Sequence, residues 1–147
     1  MRRLITALSV ASVVALTGCT AAPAADPGDQ QACQVWSKAE QNMVQTVAII
    51  VKLASDPAGL TDAAATEFNT KRNELLAAYD QAKKLASSDD LKAALDEGLN
   101  KDSVVYYDLA GATNERIQES MDAVRTLVTT CATTAGVDVK GLLGAGK

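Results

Sequence analysis

The sequence predicts an all-α protein, an antiparallel up-down four-helix bundle. Apolar side chains recur every three or four residues in four separate segments, which is the spacing of one face of a helix. Hydrophobic residues make up 48% of the 147 residues, but aromatic residues only 3%. The core is therefore built mainly from Ala, Leu, Val and Met, which suits close-packed helices better than a sheet. We place the bundle at residues 29–135, followed by a mobile, glycine-rich tail at 136–147.

The first helix is predicted from about Pro27 to Ser55. Asp26 is a favourable N-cap, and proline is common at the first helical position. Asp56 and Pro57 end the helix, because the residue before a proline is pushed out of the helical region. The apolar row, which we call the seam of the helix, contains one acidic residue: Cys33, Trp36, Glu40, Met43, Val47, Ile50 and Ala54.

The second helix is predicted from about Asp62 to Ala86, with Thr61 as its N-cap. Its seam includes one basic residue: Ala65, Phe68, Arg72, Leu75, Tyr79, Ala82 and Ala86. Ser87 and Asp90, three residues apart, have the pattern of a capping box for a third helix over about Asp89–Ala110.

The third and fourth helices differ in how regular their patterns are. One face of the third helix holds Leu91, Leu95, Val105 and Leu109, but Gly98 leaves two shorter helices as an alternative. The fourth helix, about Asn114–Ala135 with Thr113 as its cap, has a regular seam: Ile117, Met121, Val124, Val128, Cys131 and Ala135.

The first nineteen residues have the layout of a secretory signal. Arg2 and Arg3 precede an apolar run of about thirteen residues, which is shorter than the ~20 residues that span a bilayer. The run ends in Leu16-Thr17-Gly18-Cys19, which resembles the lipobox of bacterial lipoproteins. The resemblance implies that residues 1–18 are a cleaved signal peptide and that Cys19 carries a diacylglycerol. The composition of the following residues, Ala, Pro, Thr and Gly without a period, predicts a flexible tether at 19–28. The alternative is a soluble secreted protein cut after residues 22–24, an A-x-A-like site.

The resemblance also constrains the three cysteines. If Cys19 carries lipid, Cys33 and Cys131 remain in an oxidising compartment, where a disulfide is expected and two buried free thiols are the alternative. These cysteines lie near the start of the first helix and the end of the fourth. In an up-down bundle such ends meet only when the helix number is even, so the pair favours four helices over three.

Charge and residue content argue against several functions. Without Arg2 and Arg3 the chain has 12 basic and 18 acidic residues, a net charge of −6, which disfavours nucleic acid and a polybasic contact with anionic lipid. There is no histidine, so His-dependent nucleophiles and metal sites are excluded. The segment 141–147 matches part of a phosphate loop, but it lacks the Ser or Thr that binds magnesium and a preceding strand. We therefore predict no enzyme activity, cofactor, metal or nucleotide.

Several side chains are candidates for contacts with a partner or ligand: Trp36, Phe68, Tyr79, Tyr106 and Tyr107. Adjacent helical residues point in different directions, so only one of the two neighbouring tyrosines at 106–107 can face the core. Glu40 and Arg72 interrupt apolar seams, so they form a buried pair, line a pocket, or extend their charged ends to solvent. The acidic pairs 89–90 and 96–97 are expected on solvated helix faces.

The function expected from these features is that of a lipoprotein on the outer face of the cytoplasmic membrane, held by lipid on Cys19. It would act as a non-enzymatic interaction module for a protein of the cell envelope. The layout is similar to that of small prophage-encoded lipoproteins that block infection by a second phage. The alternative is a module that binds an apolar small ligand between helices, around Phe68, Tyr79 and Tyr107.

Overall fold

The computed structural model describes residues 25–54, 59 and 61–139. They form four helices: α1 (Pro27–Ala54), α2 (Asp62–Leu85), α3 (Asp89–Tyr107) and α4 (Asn114–Thr134). The predicted fold class, an antiparallel up-down four-helix bundle closed by a disulfide, is confirmed. The predicted signal peptide, Cys19, most of the tether and the end of the tail (140–147) lie outside the described residues.

The start of α1 is fixed by two aspartates. The Asp26 carboxylate accepts hydrogen bonds from the Gly28 N–H at 2.7 Å and the Ser87 hydroxyl at 2.8 Å. Asp29, only 2% exposed, accepts hydrogen bonds from the backbone N–H groups of Ser87 and Ser88. These contacts join the beginning of α1 to the turn between α2 and α3.

Two of the three N-caps predicted for α2, α3 and α4 are confirmed. The side chains of Thr61 and Thr113 cap α2 and α4 by accepting hydrogen bonds from backbone N–H groups three residues later. The capping box predicted for α3 is wrong, because its N-cap is Ser88, whose side chain makes no cap hydrogen bond. The Asp29 carboxylate binds the N–H groups of Ser87 and Ser88 instead.

Helix α3 is continuous through Gly98, so the alternative of two shorter helices is wrong. A Cβ atom at this position would lie 2.9 Å from the Tyr79 ring and hydroxyl, closer than two heavy atoms can pack. The glycine is therefore a point of close approach between α2 and α3 and not a helix break.

The four helices pair as two hairpins. Helix α1 packs mainly on α2, and α3 packs mainly on α4, with smaller contacts between α2 and α3 and between α1 and α4. The Cys33–Cys131 disulfide joins the first turns of α1 to the last turns of α4, with Cα atoms 5.8 Å apart. The two hairpins are thus covalently joined at one end of the bundle.

Burial divides the bundle into two halves. The disulfide half contains the start of α1, the end of α2, the start of α3 and the end of α4, and the distal half contains the opposite ends. Within the disulfide half the predicted seams are buried, including Cys33, Trp36, Leu91, Leu95 and Cys131, each at 0% exposure. Val137 and Val139, in the segment assigned to the tail, also pack against this core, so the folded region extends beyond residue 135.

The predicted seams are wrong at several positions of the distal half. Ile117 and Met121 on α4 are 36% and 46% exposed, while Ser120 and Ala123 of the same helix are buried. On α2, Ala64 is buried in place of the exposed Ala65. The fourth and second helices therefore turn part of their apolar rows away from the core at this end.

Candidate functional site

The exposed large apolar side chains of the described residues lie mainly in the distal half, and we call them the distal apolar surface. They are Ile49, Val51, Val104, Tyr107, Ile117 and Met121, with exposures between 36% and 63%. Every helix except α2 contributes to this set. Scattered single apolar residues are ordinary on protein surfaces, but their concentration at one end of a bundle marks a candidate contact surface.

A cavity of about 410 Å³ opens at the same end. It lies between the last turns of α1, the first turns of α2 and the turn that follows α3. Asn69 is the one polar residue in its lining, which consists of Ile50, Val51, Ala65, Phe68, Asn69, Leu109 and Ala110. Its size and apolar walls suit a small apolar group.

The five predicted contact residues are not brought together. Trp36 and Tyr79 are fully buried with ring centroids 6.3 Å apart, and Phe68 lines the cavity. Tyr106 is partly buried against the core, whereas Tyr107 is 63% exposed, so only one of the two adjacent rings packs inward. Tyr79 lies about 16 Å along α2 from Phe68, so the cavity beside Phe68 does not include all three residues of the ligand site predicted around Phe68, Tyr79 and Tyr107.

Arg72 and Glu40, the polar residues on the predicted seams, do not pair with each other. The Arg72 guanidinium lies over the Tyr107 ring, 4.6 Å from its centroid, and the side chain is partly exposed. Glu40 is 2% exposed and its Oε1 lies 3.5 Å from the Tyr106 hydroxyl, which donates a long hydrogen bond.

Glu40 belongs to a buried polar cluster that the sequence analysis did not assemble. Asp102, at 0% exposure, accepts a hydrogen bond of 2.6 Å from the Tyr79 hydroxyl and one of 2.5 Å from the Ser120 hydroxyl. The Glu40 and Asp102 carboxyl groups also lie close enough to each other in the interior to interact electrostatically. We call Glu40, Tyr79, Asp102, Tyr106 and Ser120 the carboxyl cluster. Asp102 could have been found from the sequence, because it lies in the apolar row of Leu91, Leu95 and Val105.

Burial governs the ionisation of the carboxyl cluster. Desolvation, followed by repulsion from Asp102, holds the pKa of Glu40 well above its usual range. Desolvation raises the pKa of Asp102 to about 6, although its hydrogen bonds from Ser120, Tyr79 and Glu40 oppose that rise. The pKa values of Tyr79 and Tyr106 are raised for the same reason, first by desolvation and then by the neighbouring carboxyl groups.

The remaining acidic residues offer no comparable site. The side chains of Asp89, Asp90, Asp96 and Glu97 are exposed; Asp96 forms an ion pair with Lys83, and Asp89 lies 3.7 Å from Lys92. Among the described residues no group of three or more metal-binding side chains converges. None of the described helices is long and apolar enough to cross a membrane.

Comparison with models of known protein families, with curated protein sequences and with solved structures found no match.

Proposed function

We propose that the protein is a lipid-anchored extracytoplasmic module that presents its distal half to a protein partner of the cell envelope. The observation that carries this proposal is the concentration of exposed large apolar side chains in the distal half. A protein partner that covers these side chains removes them from water, which favours association.

The position of the predicted anchor supports this orientation. Cys19 precedes residue 25 by six residues, about 20 Å of fully extended chain. That chain enters the disulfide half, whereas the distal half lies at the far end of α1, a helix of 28 residues and about 42 Å. The lipid would therefore hold one end of the bundle and leave the other end accessible.

The partner surface we propose is an amphipathic helix. Ile117 and Met121 are four residues apart on one face of α4, and Val104 and Tyr107 are three residues apart on α3. Apolar pairs with this spacing match the apolar face of a bound helix. They match an extended strand less well, because its side chains alternate between two sides. A narrower form of the proposal, suggested by layout alone, is that the partner takes part in phage infection.

The decisive experiment compares two pairs of substitutions on α4. Ile117→Glu with Met121→Glu introduces charge into the distal apolar surface, and Thr129→Glu with Thr133→Glu introduces it at exposed positions of the disulfide half. Cross-linking in intact cells, followed by mass spectrometry, should capture an envelope protein with the wild type and the threonine variant but not with the distal variant. Equal capture by all three proteins would refute the proposed surface.

The anchor is tested separately. Cys19→Ala should move the protein from the membrane fraction to the soluble extracytoplasmic fraction, because the acyl chains supply the membrane affinity. A protein that stays with the membrane after this substitution, or a mature chain that begins after Thr20, would contradict lipid anchoring.

The second candidate function, binding of an apolar small ligand, is favoured by the cavity beside Phe68. Ala65→Trp would fill part of its volume, whereas Ala77→Trp, on an exposed position of the same helix, would not. Binding of an environment-sensitive apolar dye should weaken in the first variant only. Unchanged dye binding in the Ala65 variant would exclude this cavity as the site.

A further inference from the structure

The carboxyl cluster lies where the two helical hairpins meet in the interior of the bundle. Helix α1 contributes Glu40, α2 contributes Tyr79, α3 contributes Asp102 and Tyr106, and α4 contributes Ser120. Its hydrogen bonds join each helix of the first hairpin to α3, and α3 to α4. The carboxyl cluster is therefore a major polar connection between the hairpins, in addition to the covalent connection by the disulfide.

Among the described residues, no cation compensates the two buried carboxyl groups. The titratable groups that face them are Tyr79 from α2 and Tyr106 from α3, and α4 contributes the Ser120 hydroxyl. Lys101, next to Asp102 in the chain, pairs with Glu119 at 2.9 Å. Within the described part of the chain, neither Glu40 nor Asp102 forms an ion pair with a lysine or arginine. Two adjacent carboxylates without a countercharge are strongly unfavourable in an interior.

The hydrogen-bonding pattern shows where a proton would fit. Both oxygens of Asp102 accept hydrogen bonds from hydroxyl groups, whereas Glu40 Oε2 is buried and has no donor in the part of the chain that the structure describes. A proton on Glu40 Oε2 changes that oxygen from an unsatisfied acceptor into a donor toward Asp102. One proton thus satisfies Glu40 and removes the repulsion between the two carboxylates.

We propose that Glu40 and Asp102 share one proton at neutral pH, and that this proton holds the two hairpins together. Loss of the proton leaves two negative charges between the hairpins, and the distal half opens while the disulfide keeps the opposite ends joined. The cluster is then a proton-operated device that regulates how far the distal half is closed. This inference does not depend on the proposed partner or on the lipid anchor.

The direction of the pH dependence follows from the raised pKa values. An acid whose pKa is higher in the folded than in the unfolded state binds its proton more tightly when folded. Stability is then greatest below the unfolded pKa, near 4, and falls as the pH rises toward the folded pKa. For Asp102 the fall extends to about pH 6, and for Glu40 it continues above the usual range of a glutamate.

Thermal unfolding of the wild type and three variants tests the proposal. The wild-type melting temperature should fall by roughly 5–10 °C between pH 5 and pH 9. Glu40→Gln retains a donor toward Asp102 but cannot titrate, so its profile should be flatter by about half, and adding Asp102→Asn should remove most of the remaining slope. Glu97→Gln, at an exposed position of α3, should keep the wild-type profile. A wild-type melting temperature that is constant or rises over this range would overturn the proposal.

Two measurements on the wild type keep the test valid if a variant fails to fold. Infrared spectroscopy at pH 7 should detect a protonated carboxyl group, and its absence would overturn the shared proton. Hydrogen exchange of the backbone amides should become faster in the distal half as the proton is lost, and should stay slow around Cys33 and Trp36, which are fully buried in the disulfide half. Unchanged exchange in the distal half while the carboxyl signal disappears would refute the opening of the bundle.

Discussion

The disulfide half and the distal half contain the same four helices but differ in how they bury apolar side chains. In the disulfide half, the seams of all four helices converge on Cys33, Trp36, Leu91, Leu95 and Cys131, which are inaccessible to solvent. In the distal half, Val104, Tyr107, Ile117 and Met121 remain at least 36% exposed. A regular apolar spacing therefore predicts a helix along its whole length, but predicts core contact only where neighbouring helices close on it.

Removal of the disulfide should have the largest effect on the free energy of unfolding. Replacing Cys33 and Cys131 with serine should lower the free energy of unfolding by about 4 kcal/mol, because the disulfide closes a loop between residues 98 positions apart. Urea unfolding of the oxidised wild type and of the double variant measures this difference. A loss below about 1 kcal/mol would mean that packing alone stabilises the disulfide half.

Truncation of one α4 residue in each half tests the difference between the two halves through non-covalent contacts. Leu127 is at 0% exposure. Its replacement by alanine should lower the free energy of unfolding by about 3 kcal/mol, because the change leaves a cavity in the core. Met121→Ala, at a residue that is 46% exposed, should change the free energy of unfolding by less than about 0.5 kcal/mol. Equal losses from the two variants in urea unfolding would contradict the division into halves.

The contact between Arg72 and Tyr107 should give the smallest effect. A cation over an aromatic ring at a partly exposed site contributes about 0.5–1 kcal/mol. A double-mutant cycle with Arg72→Ala and Tyr107→Ala isolates this coupling from the loss of either side chain alone. A coupling of zero would show that the stacking does not stabilise the distal half.

The sequence was sufficient for the fold and for much of the disulfide half. The helices and three of the four N-caps followed from local residue preferences. The Cys33–Cys131 pairing was expected from the lipobox resemblance, which assigns Cys19 to lipid, and this pair in turn favoured four helices over three. Gly98 could not be interpreted this way, because its role depends on Tyr79 of another helix. Local propensity describes the cost of a glycine but not the space that it leaves for a neighbouring ring.

The candidate site was less accessible from the sequence for a related reason. Glu40 was recognised as a polar residue on an apolar row, but its surroundings depend on residues from the other three helices, 39 to 80 positions away. Asp102 lies on the apolar row of α3, but Ser120 lies off the predicted seam of α4, because the apolar rows alone do not give the rotation of each helix. The rotation of a helix decides whether a carboxyl group faces solvent or is buried beside another carboxyl group, where its pKa is raised.

The bonds of Asp29 to Ser87 and Ser88 have a mechanical consequence. The chain before residue 25 enters α1 only a few residues ahead of Asp29 and Cys33, which connect α1 to the α2–α3 turn and to α4. Tension applied through the amino-terminal chain can therefore unwind only the first turns of α1 before the cross-link transmits the load to α4. The turns of α1 beyond Cys33 are therefore protected from being unwound by traction on the amino-terminal chain.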